Sequence, residues 1–296
     1  MKPLANKGAA LITALFIMAI VVIIATGLIV RLHIDIERTD LFLTKDKFYL
    51  AAQGAKYWAI GLLNEKSKVF PQQFGPIYYG NMIVSGELID AQSLFNLNNM
   101  QASARKGNFI LLLKAVLPSI ENEKAEQLAN SLIYWFSTME LDQNIEDSYL
   151  KSGYRISHLP MSSSSELRLV QGFSQEIYNA LAPFVIVLPK QTRVNISSAP
   201  IPVLMSLGNG LSKDQAEQII HAREDAQDKS FEKNYMDEII NKFNITDREI
   251  TMTSNYFLLR AKVVNNKQEF TLYCLLQRIE HDHVQQVDII WQRNAL

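Results

Sequence analysis

Twenty-two consecutive residues without a charge, Ala9 to Val30 (AALITALFIMAIVVIIATGLIV), constrain this chain more than any other feature. As a helix they extend about 33 Å, enough to cross a hydrocarbon core of roughly 30 Å. Eight residues carrying Lys2 and Lys7 precede them, whereas the residues that follow, RLHIDIERTD, mix both signs. The basic side therefore stays cytoplasmic and the bulk of the chain is exported. A secretory signal has a shorter apolar region and ends in a small-residue cleavage site on its far side. This segment lacks that pattern, which favours a spanning anchor.

The apolar pattern continues beyond the membrane. Leu41, Phe48, Ala52, Ala55, Ala59 and Leu62 recur at helical spacing, with Arg38, Asp40, Lys45, Asp46, Lys47 and Lys56 between them. No proline falls between Ala9 and Pro71. The spacing predicts one unbroken helix to about Lys66, half in lipid and half packed on protein.

The remaining composition is that of a globular protein. The chain has 296 residues, 48% apolar and 20% charged, which allows one sizeable domain or two smaller ones. Lys and Arg number 29 against 30 Asp and Glu, so net charge gives no basis for binding nucleic acid. The one cysteine, Cys274, lies in the apolar run EFTLYCLLQRI. It excludes an internal disulfide or a cysteine-based zinc site and reads as a packed strand residue. Of the five histidines only His281 and His283 are close, in a turn-like HDH segment. No Gly-x-Ser-x-Gly, Walker or dinucleotide glycine pattern occurs. The sequence does not read as an enzyme.

Residues 76–90 (PIYYGNMIVSGELID) predict short strands broken by Gly80 and Gly86. From 91 to 189, and again from 195 to 245, the period is helical. Three β-like runs then close the chain, YFLLRAKVV, EFTLYCLLQRI and QQVDIIWQR, the first two joined by an NNKQ turn. KAEQLANSL at 124–132 echoes QAEQIIHAR at 215–223. Asn98 and Asn195 precede apolar helices and are expected to cap them, while Pro200 and Pro202 suit a helix start.

The segment RVNISSAPIPVLMSLGNGLSKDQAEQIIHARED reads as a helix-hairpin-helix unit with Gly208 and Gly210 in its turn. Such turns bind DNA phosphates in other proteins. Residues 193–249, however, hold seven Lys or Arg against ten Asp or Glu, a net of −3. That balance opposes a phosphate-backbone partner. An inner-membrane DNA receptor using these hairpins is the alternative to the reading below.

A short basic leader ending in Gly, an apolar helix directly after it and an amphipathic continuation resemble the type IV pilins and pseudopilins. By that resemblance a prepilin peptidase cuts between Gly8 and Ala9. Thr13 stands at the fifth mature position, where the family usually has Glu. A carboxylate in lipid is expensive unless paired, and its omission resembles pseudopilin K, the minor pseudopilin of type II secretion systems. Further residues carry that resemblance: IDAQSLFNLNNM (89–100), IEDSYL (145–150), SSELRLVQGFSQEIYNALAPFVIVLP (164–189) and the RVNISSA hairpin.

The resemblance implies an α+β, pilin-like fold, in which the long transmembrane helix packs on a small antiparallel sheet. A large helical domain of two SAM-like or helix-hairpin-helix modules interrupts the sheet. The implied layout is a leader at 1–8, a spanning segment at 9–30, helix plus first strands at 31–90, helical modules at about 91–189 and 193–250 within 91–250, and closing strands at 251–296. It implies a single-pass inner-membrane protein whose bulk is periplasmic. The implied role is a fibre-tip subunit that initiates and caps a pseudopilus with the I and J subunits. Further implied partners are the major pseudopilin, the prepilin peptidase and the inner-membrane assembly platform.

The same family resemblance implies calcium in the helical domain. ELDQNIED offers Glu140, Asp142, Glu146 and Asp147, and calcium takes six to eight oxygens. Asp142, Glu146 and Asp147 are the candidate ligands. The family's acidic run after the tryptophan, however, reads here as Ser137 and Met139 after Trp135. A calcium loop and a solvated acidic loop therefore both stand.

Overall fold

A computed structural model describes residues 7–64, 71–138, 142–225, 241–243, 245–246, 248–265, 268–281 and 284–295. Helix α1 runs unbroken over Lys7–Leu63, about 85 Å at the α-helical rise. Strands β1 (Gln72–Tyr79) and β2 (Met82–Asp90) follow as a hairpin. The chain then leaves the sheet for β3 (Phe95–Asn96), α2 (Lys106–Val116), α3 (Asn122–Phe136), α4 (Gln143–Lys151), α5 (Gln175–Leu181) and β4 (Val185–Ile186). Next come β5 (Val194–Asn195), α6 (Ile201–Met205), α7 (Lys213–Asp225) and β6 (Ile250–Thr251). It returns as β7 (Tyr256–Val264), β8 (Glu269–His281) and β9 (Val284–Ala295).

The main sheet is antiparallel in the order β1-β2-β7-β8-β9. Strands β2 and β7 are therefore neighbours, with Asp90 opposite Phe257, and everything between them is an insertion at one end of the sheet. Alternate residues of β7 (Phe257, Leu259, Ala261, Val263) and β8 (Phe270, Leu272, Cys274, Leu276) are buried in one cluster on a covered face, while Tyr256 and Leu275 at the other positions pack with Ala91, Ile186 and Leu188. The cover is α1, which lays Phe48, Ala52, Ala55, Ala59, Leu62 and Leu63 into the same cluster. Leu41 belongs to the expected stripe but is exposed. It sits a turn short of full cover, beside Lys45 and Gln268.

Gly86 does not break a strand, contrary to expectation. It lies inside β2, and a Cβ there would come 1.9 Å from the Phe74 ring. That ring stacks on Trp58 of α1 at 4.5 Å. Glycine is needed because an aromatic side chain occupies the space over the strand. Gly80 does lie in the turn.

The insertion is built twice from one plan. Each half starts with a short strand ending in Asn, turns on that Asn, runs through a helix pair (α2–α3 or α6–α7) and returns to a strand parallel to the first, β3 with β4 and β5 with β6, with α4 and α5 added in the first half. The Asn96 side chain accepts from the N–H of Asn98, and that of Asn195 from the N–H of Ser197. The echoing segments occupy the second helix of each pair and bury matching positions, Ala125 and Leu128 in α3, Ala216 and Ile219 in α7. Helix α2 packs on both α3 and α6, so the halves share one core.

The expected caps are corrected here. Asn98 is buried and ties its loop to distant chain, donating to the carbonyls of Met161 and Leu188 and accepting from the N–H of Met161. Asn195 makes its turn one step before α6, whose N-cap is Pro200. Both asparagines were chosen by side-chain geometry over longer range than a helix start requires.

Asp90 is the joint between sheet and insertion. It is 2% exposed and accepts from the N–H of Gln92 (2.8 Å), Asn195 Nδ2 (2.7 Å) and Ser198 Oγ (2.5 Å). Asn195 also donates to Ser254 Oγ, and the N–H of Asn255 donates to Gln92 Oε1. Burial pushes the Asp90 carboxyl above its ordinary value, against the pull of those hydrogen bonds.

Candidate functional site

The first half of α1 leaves its described apolar side chains exposed. From Leu11 to Val30 every large apolar side chain is exposed, Ile23 by 71%. Leaving a Leu or Ile in water forgoes about 1.5–3 kcal/mol each, so this segment requires a lipid or protein environment. The helix is long and apolar enough to cross a membrane. Thr26 satisfies its hydroxyl within the helix, on the Val22 carbonyl at 2.7 Å. Thr13 lies on an exposed stretch of the same helix. Gly8 and Ala9 are its second and third residues.

Past the spanning segment, α1 has two faces. One carries the sheet. The other presents Ile36, Leu43, Leu50 and Tyr57, spaced by seven and all more than half exposed. A seven-residue apolar period lets one helix pack along another. This second stripe was legible in the sequence and was missed, because one stripe sufficed to predict the helix. At its distal end, Leu50, Gly54 and Trp58 of α1 and Phe74, Ile77 and Tyr79 of β1 line a mainly apolar groove of about 470 Å³. Ile77, Tyr78 and Tyr79 extend that surface onto the edge strand.

Each described carboxylate of the acidic segment has a protein partner. Asp142 caps α4 by accepting from the N–H of Asn144, and Asp147 accepts from Gln143 Nε2. Glu146 accepts from the Tyr134 hydroxyl at 2.9 Å and faces His158 Nε2 at 3.2 Å. Burial, and then Glu146, hold the Tyr134 phenol above its usual value, so it stays a donor. Among the described residues no three His, Cys, Asp or Glu side chains come together to hold a metal. Residues 139–141, with Glu140, lie outside the described residues, as do Asp282 and His283 of the HDH segment.

Gly208 and Gly210 do form the turn between α6 and α7, both at positive φ. Gly210 of the turn packs against the first helix pair. A Cβ at Gly210 would meet Leu111 of α2 at 2.9 Å, so this glycine lets the two helix pairs close on each other. Cys274 is fully buried in β8, and burial pushes its thiol up to about 11. It is a core residue.

The family model for type II secretion system protein K matches residues 93–190. The type II secretion system protein K of Pectobacterium carotovorum is 25% identical over 92% of both chains. That of Pseudomonas aeruginosa is 28% identical over 74% of this chain and 72% of its own. The Aeromonas hydrophila protein K is 27% identical over 64% of this chain and 66% of its own length. A chain of the GspK-GspI-GspJ complex from the enterotoxigenic Escherichia coli type 2 secretion system superposes with a TM-score of 0.69 at 21% identity, covering 88% of this chain and 99% of that one.

The chain resembles the type II secretion system protein K relatives over most of its length. Within it, the matched domain holds the first half of the insertion, with Asn96, Asn98, the α2–α3 pair and the acidic segment. Helix α1 and the five-stranded sheet fall outside that domain, but the alignment with the Pectobacterium protein K spans 92% of this chain. The chain's fold is the α+β fold of the solved complex chain, and its N-terminal helix is long and apolar enough to serve as a membrane anchor.

Proposed function

We propose that this chain is a non-catalytic minor pseudopilin that sits at the tip of a type II secretion pseudopilus, where it initiates and caps the fibre. The observation that carries this reading is the division of α1. Its first half is bare, one face of its second half holds the sheet, and the opposite face repeats Ile36, Leu43, Leu50 and Tyr57 in the open. Such a helix is suited to bundle with others like it.

The solved complex that shares this fold contains GspI and GspJ, and the counterparts of those subunits are the proposed partners. The spanning segment is assigned to the inner membrane with Lys2 and Lys7 cytoplasmic, and the rest is periplasmic. Prepilin peptidase would cut between Gly8 and Ala9, freeing the amine of Ala9. Thr13 then lacks the carboxylate that would pair with a subunit ahead, as suits a first subunit. The insertion, read as two SAM-like or helix-hairpin-helix modules, would block stacking above it.

Mass spectrometry of the protein from cells with and without prepilin peptidase tests the reading. A mature N-terminus at Ala9 only where the peptidase is present supports it. Retention of Met1–Gly8 in both strains overturns it.

A further inference from the structure

The calcium that the family resemblance implies does not fit the side chains present. We propose that in this chain the acidic segment is closed by a protein clasp, Tyr134 and His158 on Glu146, and takes no calcium ion. Three elements meet at the clasp: Tyr134 near the end of α3, Glu146 in α4, and His158 in the loop that follows α4.

Glu146 Oε1 is the shared acceptor, 2.9 Å from the Tyr134 hydroxyl and 3.2 Å from His158 Nε2. The Tyr134 oxygen in turn accepts the N–H of Asp142 at 2.9 Å, which fixes the start of α4. The two rings meet edge to face at 6.2 Å. The Glu146 and His158 side chains are only 20% and 19% exposed. A cation here would compete with both donors for the one oxygen they share, and hard-cation sites need several oxygens free at once.

The other described carboxylates point to separate duties. Asp142 spends one oxygen on the α4 cap and Asp147 holds Gln143 on the solvent side. Ser137 and Met139 supply no carboxylates of their own. His158 is held at φ 49, the one non-glycine residue with positive φ among those described. Positive φ is uncommon outside glycine, and His is one of the types that adopt it more often; here the imidazole lies 3.2 Å from Glu146.

Full-length protein in detergent, stripped with EGTA and titrated with calcium chloride, tests the proposal by calorimetry and thermal unfolding. The expected result is no saturable heat and a midpoint that moves by less than about 1 °C between EGTA and millimolar calcium. Saturable binding near one ion per chain, or a calcium-dependent rise of about 4 °C or more, overturns it. His158→Asn, which tolerates the positive φ but has a shorter side chain, and Tyr134→Phe, which lacks the hydroxyl, keep the backbone and each break one bond of the clasp. Each should lower the midpoint by about 2–4 °C with no recovery on adding calcium. Wild-type midpoints in both variants would sink the clasp.

Discussion

Replacing Asp90 by Asn tests how the insertion is held on the sheet. Asp90 offers two acceptor oxygens, one to the Gln92 N–H and the other to Asn195 Nδ2 and Ser198 Oγ, and the Ser254 side chain also hydrogen-bonds the carboxyl. An amide keeps one acceptor and turns the other into a donor. Ser198 can rotate to accept, but then Gln92 or Asn195 loses a partner. One buried donor without a partner costs about 1–3 kcal/mol, which for a chain of this size lowers the melting midpoint by roughly 3–10 °C.

The pH dependence has a definite sign. Burial raises the Asp90 carboxyl above its ordinary 3.8, so the folded chain holds that proton more tightly than the unfolded one. The stability this confers is complete below about pH 3.8 and is lost as pH climbs through the raised folded value. Asn cannot ionise, so it loses nothing over that range. The gap between wild type and Asp90→Asn should therefore be widest near pH 4 and narrow toward pH 7.5. Differential scanning fluorimetry of both proteins in one detergent across that range measures it. A gap that widens toward neutral pH would show that the hydrogen bonds, not burial, dominate the carboxyl.

Gly86→Ala forces the Phe74 ring off the strand and off Trp58, and is expected to cost about 1–3 kcal/mol, read as a lower unfolding midpoint. Combining it with Phe74→Leu should recover part of that loss. Cys274 should resist iodoacetamide at pH 8 in the folded protein and react on denaturation, because burial both raises its thiol to about 11 and shields it; rapid labelling of the native chain would contradict the packing. Leu50→Glu with Tyr57→Glu, both on the open face, should leave the melting midpoint within about 1–2 °C of wild type. The pair should abolish co-purification with the I and J counterparts, and retained co-purification would place the partner elsewhere.

The parts of this fold that show in the sequence are those whose cause is local and periodic. Helix α1 follows from an unbroken apolar run and a missing proline, and β7, β8 and β9 fall on the three β-like runs that precede the end of the chain. What escaped depends on partners far along the chain. Asn98 and Asn195 look like helix caps because a cap needs only the next three residues, whereas their real partners at Met161, Leu188 and Asp90 come from other elements. Gly86 looks like a strand breaker until Phe74 is placed over it. Nor does anything in ELDQNIED reveal that Tyr134 and His158 reach Glu146, one of the candidate ligands.

The insertion point explains how such a chain can carry so much bulk on a small sheet. At one end of the sheet Ile83, Val264 and Glu269 lie abreast, and Glu269 borders Leu41, Lys45 and Phe48 on the stretch of α1 that follows its apolar half. Asp90 and Phe257 pair at the opposite end, so the helical halves leave and rejoin the sheet far from the spanning segment. Because exit and return lie on adjacent strands, the sheet closes without them, and the helix face that repeats Ile36 to Tyr57 stays uncovered. The Asp90 joint then fixes the added mass, since Gln92, Asn195 and Ser254 reach it from both strand ends and the second half of the insertion. A weakened joint should therefore loosen the helical part while leaving α1 on its sheet. Limited proteolysis of Asp90→Asn should cut first between residues 91 and 255, and first cuts within β7 or β8 would mean that the joint supports the sheet as well.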